Sequence, residues 1–107
     1  MDDISKLVYY NNLFQIYQGQ LSTSQREVLS DYFEANLSIS EIASERGVSR
    51  AAIEDAIKKG MKKLDALESD LKIYSKQQKA LKIVSEIKET SKDEVDKLIK
   101  QLEEVLK

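Results

Sequence analysis

Proline is absent from all 107 residues, and glycine occurs only three times, at Gly19, Gly47 and Gly60. Sheets and their tight turns need more backbone punctuation than this. The residues between the glycines are mostly strong helix formers (Leu, Ala, Glu, Lys, Gln), so the expected fold class is all-α. There is also no cysteine, histidine or tryptophan. Disulfide frames, zinc ribbons and Ser-His or Cys-His nucleophile systems are thereby excluded.

Periodicity and caps divide the chain. A first helix is expected from Asp2 or Asp3 to about Tyr17, with Ile4, Leu7, Val8, Leu13, Phe14 and Tyr17 as its apolar positions. Ser22 with Gln25 forms a capping-box pattern opening a second helix that carries Val28, Leu29, Tyr32 and Phe33. Asn36 and Leu37 fall in the break after it. A second such pattern, Ser38 with Glu41, opens a short helix holding Ile42 and Ala43 and ending at Arg46-Gly47. Val48 is expected to turn inward, and Ser49 to cap a helix starting at Arg50. Ile53, Ala56 and Ile57 mark its apolar side, which continues as Leu64, Leu67, Leu71, Tyr74 and Leu81. That row reads as one long helix or as two joined near Ser69-Asp70. A third box, Ser91 with Glu94, opens a last helix with Val95, Leu98, Ile99, Leu102, Val105 and Leu106 on one face.

The order short helix, glycine turn, apolar plug, serine cap, longer helix over residues 38–57 is the helix-turn-helix pattern. Ala43 is small where two helices cross, Gly47 permits the turn, and Val48 with Ile53 plugs the corner. Two parts are expected: a helix-turn-helix domain over 1–68 and a C-terminal helical extension over 69–107. The extension holds more apolar surface than one small core covers. Either the last two helices form an antiparallel pair against the long helix, or this surface is a homodimer seam, which would present two motif helices to half-sites about 34 Å apart.

The second motif helix turns Arg50, Glu54, Lys58 and Lys62 outward, with Ala51, Asp55, Lys59 and Lys63 beside them. On DNA, Arg50 would meet a base edge or a phosphate, and the lysines would hold phosphates. Ser49 at the helix N-terminus and Arg46 in the turn would add phosphate contacts. Glu54 would accept from a cytosine amine or repel phosphates. Lysines at this spacing also suit a plain solvated helix face. An A-form groove does not admit the helix in the same way, so structured RNA would be held by shape and phosphate contacts.

Charge sets a limit on nucleic-acid binding. The chain carries 17 basic and 19 acidic residues, and residues 1–49 alone hold 3 basic and 7 acidic groups, a local net of −4. Any binding must come from a local patch. Tyr9, Tyr10, Tyr17, Tyr32 and Tyr74 suit core packing more than base stacking. Adjacent carboxylates such as Asp2/Asp3, Glu54/Asp55 and Glu103/Glu104 point about 100° apart on a helix, which suits neither acid–base pairs nor a hard-metal site. The expectation is a non-enzyme with no cofactor and no membrane insertion. The acidic start Met1-Asp2-Asp3 lacks the features of a signal peptide, which makes a cytoplasmic location the default.

The runs Leu21 to Leu29, Leu37 to Ala43 and Val48-Ser49-Arg50 resemble region four of bacterial sigma-70-type factors, a trihelical core unrelated to the winged helix. With Asn12-Leu13-Phe14 and Tyr17 ahead of them, they look like the YlxM-like family of small bacterial helix-turn-helix proteins, over about residues 5–74. Members of that family are encoded beside the signal recognition particle GTPase and its receptor. The resemblance implies a DNA-binding regulatory role in that targeting pathway, with the GTPase or receptor as partner. A protein-interaction module that binds the GTPase or its RNA is the alternative. The family's second motif helix usually begins Ser-Arg-Gln-Ala-Val-Tyr-Asp-Asn-Ile-Lys-Arg. This chain keeps Ser49, Arg50, Ala52, Asp55, Ile57 and Lys58 but carries Ala51, Glu54 and Ala56 where Gln, Tyr and Asn are usual. Three polar side chains are thus missing from the reading face.

Overall fold

The computed structural model describes residues 3–90 and 92–107. They form six α-helices and one 3-10 turn, with no strand among the described residues, so the fold is all-α. The chain separates into two compact units, one ending at Leu71 and one beginning at Lys72.

In the first unit, α1 (Asp3–Tyr17) has Asp3 in its first turn, where a carboxylate suits the positive end of the helix dipole. Its second half supplies the core with Leu13, Phe14 and Tyr17. The first half does not bury the apolar residues expected to pack: Ile4, Leu7 and Val8 remain 76%, 41% and 55% exposed. A 3-10 turn (Gln18–Gln20) leads to α2 (Thr23–Phe33), which opens with the expected capping box. Gln25 N–H donates to Ser22 Oγ at 3.2 Å, and Ser22 N–H donates to Gln25 Oε1 at 3.4 Å. Val28 and Leu29 of α2 are buried, and the Phe33 ring packs 5.8 Å from that of Phe14. Asn36 takes a left-handed φ of 55°, and Leu37 N–H closes the break by donating to Asp31 O at 3.0 Å.

α3 (Ile39–Arg46) opens with the second box, both of its hydrogen bonds being 3.1 Å long. It buries Ile42 and Ala43. α4 (Arg50–Leu71) runs without interruption for 22 residues, about 33 Å at 1.5 Å per residue. It buries Ile53, Ile57, Gly60 and Leu64 at helical spacing and packs against α1, α2 and α3. α4 is therefore the spine of the unit.

Gly60 explains how closely α4 and α2 approach. A Cβ at this position would lie 2.7 Å from Leu29 Cδ1 and 3.1 Å from Leu29 Cγ, and Leu29 is fully buried. Two phenols fasten α1 to the far half of α4. Tyr10 Oη donates to Asp65 Oδ2 at 2.8 Å, and Tyr17 Oη donates to Glu68 Oε1 at 2.7 Å. Partial burial and the bond to Asp65 push the Tyr10 phenol up to about 12 from its ordinary 10.0.

The break after α4 falls at Lys72, in a left-handed conformation (φ 56°), rather than at Ser69-Asp70. In the second unit, α5 (Ile73–Glu89) and α6 (Lys92–Leu106) form an antiparallel hairpin. Ile83 and Leu98 are buried between them. Leu81, expected to continue the apolar row, is 60% exposed. The third capping pattern falls on Ser91, outside the described residues, as do Met1 and Asp2.

Candidate nucleic-acid interface

The corner between α3 and α4 is built from backbone requirements. Gly47 adopts φ 66°, where a side chain would be strained, and lets its N–H reach Ser44 O at 3.4 Å. Val48 N–H then donates to Ala43 O at 3.1 Å, which completes a Schellman turn. This geometry leaves the Val48 side chain 47% exposed, against the expectation that it plugs the corner. Ile53 and Ile42 are buried instead, at 3% and 0% exposure. Ser49 caps α4 as expected, its Oγ accepting from Ala52 N–H at 3.1 Å.

With the buried stripe of α4 fixed by Ile53, Ile57, Gly60 and Leu64, 100° steps place the remaining residues. Ala51, Asp55, Lys58, Lys59 and Lys62 lie on the opposite face and Glu54 at its flank, while Arg50 lies about 50° from the centre of the buried stripe, in the first turn of the helix. All are exposed. Arg50 and Lys58 are about 12 Å apart along the axis, close to the width of a B-DNA major groove. A first turn in the groove therefore leaves the third and fourth turns beside the phosphate walls.

The candidate cations divide into two groups. Arg46 is tied back onto α2. Its Nη2 donates to Asp31 Oδ2 at 2.8 Å, and its Nη1 lies 3.5 Å from Glu27 Oε2. The hydrogen bond to Asp31, helped by Glu27, holds the guanidinium charged more firmly than usual against the opposing effect of desolvation. It closes the last turn of α3, just ahead of Gly47, and its charge is already compensated. Lys59 pairs with Asp55 one turn earlier at 3.0 Å, an exposed contact of little strength. Arg50, Lys58 and Lys62 make no ion pair among the described residues. Asp31 and Glu27, which decide what Arg46 can do, were missed by sequence reasoning, as was Gly60.

Among the described residues no group of His, Cys, Asp or Glu is placed to hold a metal ion, and no helix is long and apolar enough to cross a membrane.

Three helices around a Schellman corner, with a capped and exposed second motif helix, define a helix-turn-helix protein. Residues 4–105 match the family described as "putative helix-turn-helix protein, YlxM / p13 like". The chain belongs to this family, UPF0122. The match runs through the α5–α6 hairpin, so the likeness extends beyond the stretch 5–74 in which the motif residues carry it. The chain is 40% identical over 100 residues to a UPF0122 protein of Fusobacterium nucleatum, covering 92% of this chain and 97% of that protein. It is 34% identical over 105 residues to one of Bacillus thuringiensis, covering 96% of each. It is 33% identical over 103 residues to one of Mycoplasma capricolum, covering 96% of this chain and 90% of that protein.

Proposed function

We propose that this chain is a non-enzymatic regulatory protein that binds duplex DNA through α4, within the signal recognition particle targeting pathway of the cytoplasm. One observation carries the DNA reading: an uncompensated Arg50 stands exposed at a capped helix start, with Lys58 and Lys62 two and three turns behind it. Arg50 meets a base edge or the nearest phosphate, Ser49 adds a phosphate contact at the helix N-terminus, and the lysines hold the groove walls. Ala51 offers a methyl group to a thymine methyl, and Glu54 accepts from a cytosine amine. Lys59 contributes once it leaves Asp55. Arg46 contributes least, because Asp31 and Glu27 occupy it. The place in the targeting pathway rests on the family resemblance alone.

The test is a salt titration of duplex DNA binding. Replacing Lys58 or Lys62 by Ala should weaken binding of all sequences and reduce the log–log salt slope by about 1 each. Arg50→Ala should weaken binding and reduce discrimination between sequences. No measurable binding at low salt, or binding unchanged in the triple variant, rejects the reading.

The net −4 of residues 1–49 and the acidic pair Glu54/Asp55 favour a second reading. In it, the first unit docks on a basic surface of the targeting GTPase, its receptor or its RNA-bound form. Pull-down by purified GTPase that persists in the Arg50, Lys58, Lys62 triple variant but fails after charge removal in residues 1–49 would favour it.

A further inference from the structure

The centre of the outward face of α4 carries a charge that phosphate contact cannot use. Measured from the buried stripe of Ile53, Ile57, Gly60 and Leu64, 100° steps put Asp55 and Lys62 within about 10° of the opposite line. Ala51 lies about 30° from that line, and Lys58 and Lys59 about 50° to either side of it. Glu54 stands at the flank. Asp55 is therefore the most centrally placed side chain in the second turn of α4, and it is exposed.

Its neighbours suit a place at the floor of a groove. Ala51, about 6 Å nearer the helix N-terminus, is too small to hold a base edge away from Asp55. Lys58 and Lys62 follow about 4.5 and 10 Å further along the axis, on the way to the phosphate walls. Lys59 Nζ lies 3.0 Å from Asp55 Oδ2, with the acid on the N-terminal side, the favourable order for such a pair. The pair offsets the charge of a carboxylate entering a negatively charged groove, and it leaves Oδ1 to accept. Because the pair is exposed and weak, Lys59 is free to exchange Asp55 for a phosphate once a base has taken its place.

An ionised carboxylate can only accept hydrogen bonds. On their major-groove edges guanine shows the acceptors O6 and N7 and thymine shows O4, while adenine sets its N6 amine beside the acceptor N7. Cytosine alone shows an amine, N4, with no acceptor next to it. We propose that Asp55 is a specificity-determining residue of the α4 interface, accepting from the N4 amine of one cytosine at a position separate from the Glu54 contact. This rests on the proposed binding of duplex DNA through α4.

The test is enrichment sequencing of full-chain complexes formed with duplexes randomised over a central segment, followed by anisotropy titration of the enriched duplex. Wild type should enrich a cytosine at a position that Glu54→Ala leaves unaffected, and any other base there should weaken binding on the order of tenfold. Asp55→Ala should lose the preference at that position alone and should bind unselected duplex more tightly, since a negative charge has left the interface. Asp55→Asn should shift the preference there to adenine, because an amide accepts from N6 and donates to N7 together. Asp55 is exposed, so both variants should keep the helical circular dichroism of wild type. Salt-dependent duplex binding without such a cytosine, or with a preference that survives Asp55→Ala, overturns the assignment of Asp55 and leaves DNA binding by α4 standing. An absence of duplex binding at low salt overturns both.

Discussion

Gly60 and Gly47 stand in helices and turns for different reasons, and their substitutions should fail differently. Alanine at Gly60 gains about 1 kcal/mol of helix propensity but drives a Cβ against Leu29, a fully buried side chain with little freedom to move. Overpacking of this kind costs about 1–3 kcal/mol, so Gly60→Ala should lower the thermal midpoint. Combined with Leu29→Ala, it should cost less than the sum of the single changes, because the new methyl enters the space Leu29 vacates. A double-mutant cycle by urea unfolding checks this. Alanine at Gly47 meets no atom within 4 Å, and its cost of about 1 kcal/mol is that of a left-handed φ alone. No partner substitution should relieve it.

Tyr10 provides a pH test at the same scale. Its phenol titrates near 12 in the folded chain and near 10.0 in the unfolded one, so the folded state holds the proton more tightly. The resulting stabilisation is fully present below pH 10 and declines as pH rises from 10 towards 12. Tyr10→Phe loses the hydrogen bond to Asp65, so it should be less stable than wild type at pH 8. That gap should close across pH 10–12, measured by denaturant unfolding.

At the level of the elements, the α3–α4 corner was largely legible. The two described capping boxes, the glycine turn and the Ser49 cap are local patterns, and local patterns survive folding because their partners lie three or four residues away. What escaped depends on distance. Arg46 is captured by Asp31 from 15 residues earlier in the chain, and nothing at either position announces the other. Val48 follows an apolar rule that the Schellman geometry overrides. Ile4, Leu7 and Val8 fit a helical period but stay exposed, Leu7 and Val8 lining an open groove with Tyr32, Phe33 and Leu37 rather than a closed core. Among the candidate site residues, identity and exposure could be read in advance, but not which charges were already spoken for. Asp31→Ala together with Glu27→Ala should release Arg46 at a cost of about 1 kcal/mol or less per pair, the usual size for partly exposed pairs. If α4 is the DNA surface, the freed guanidinium should tighten duplex binding at low salt and steepen its salt dependence. A fluorescence anisotropy titration measures both.

Across the whole molecule, the end of the first unit was harder to place than its existence. The apolar row continues from Leu64 through Leu71 to Tyr74, so periodicity gives no stop signal at Leu71, and the expected boundary falls after residue 68. The actual stop is a lysine in a left-handed conformation, a type of break that composition does not mark. The first unit has its own core, and a chain ending at Leu71 should unfold cooperatively with its helical signal retained.

The phenol–carboxylate bonds from α1 to α4 also have a spectroscopic consequence. With five tyrosines and no tryptophan, the intrinsic emission of this chain is tyrosine emission. A phenol that donates to a carboxylate is quenched by excited-state proton transfer. Tyr10 and Tyr17 are therefore dark in the native state and brighten when α1 leaves α4. The hairpin holds only Tyr74, so an ultraviolet emission rise on heating follows the loss of the first unit without any attached dye.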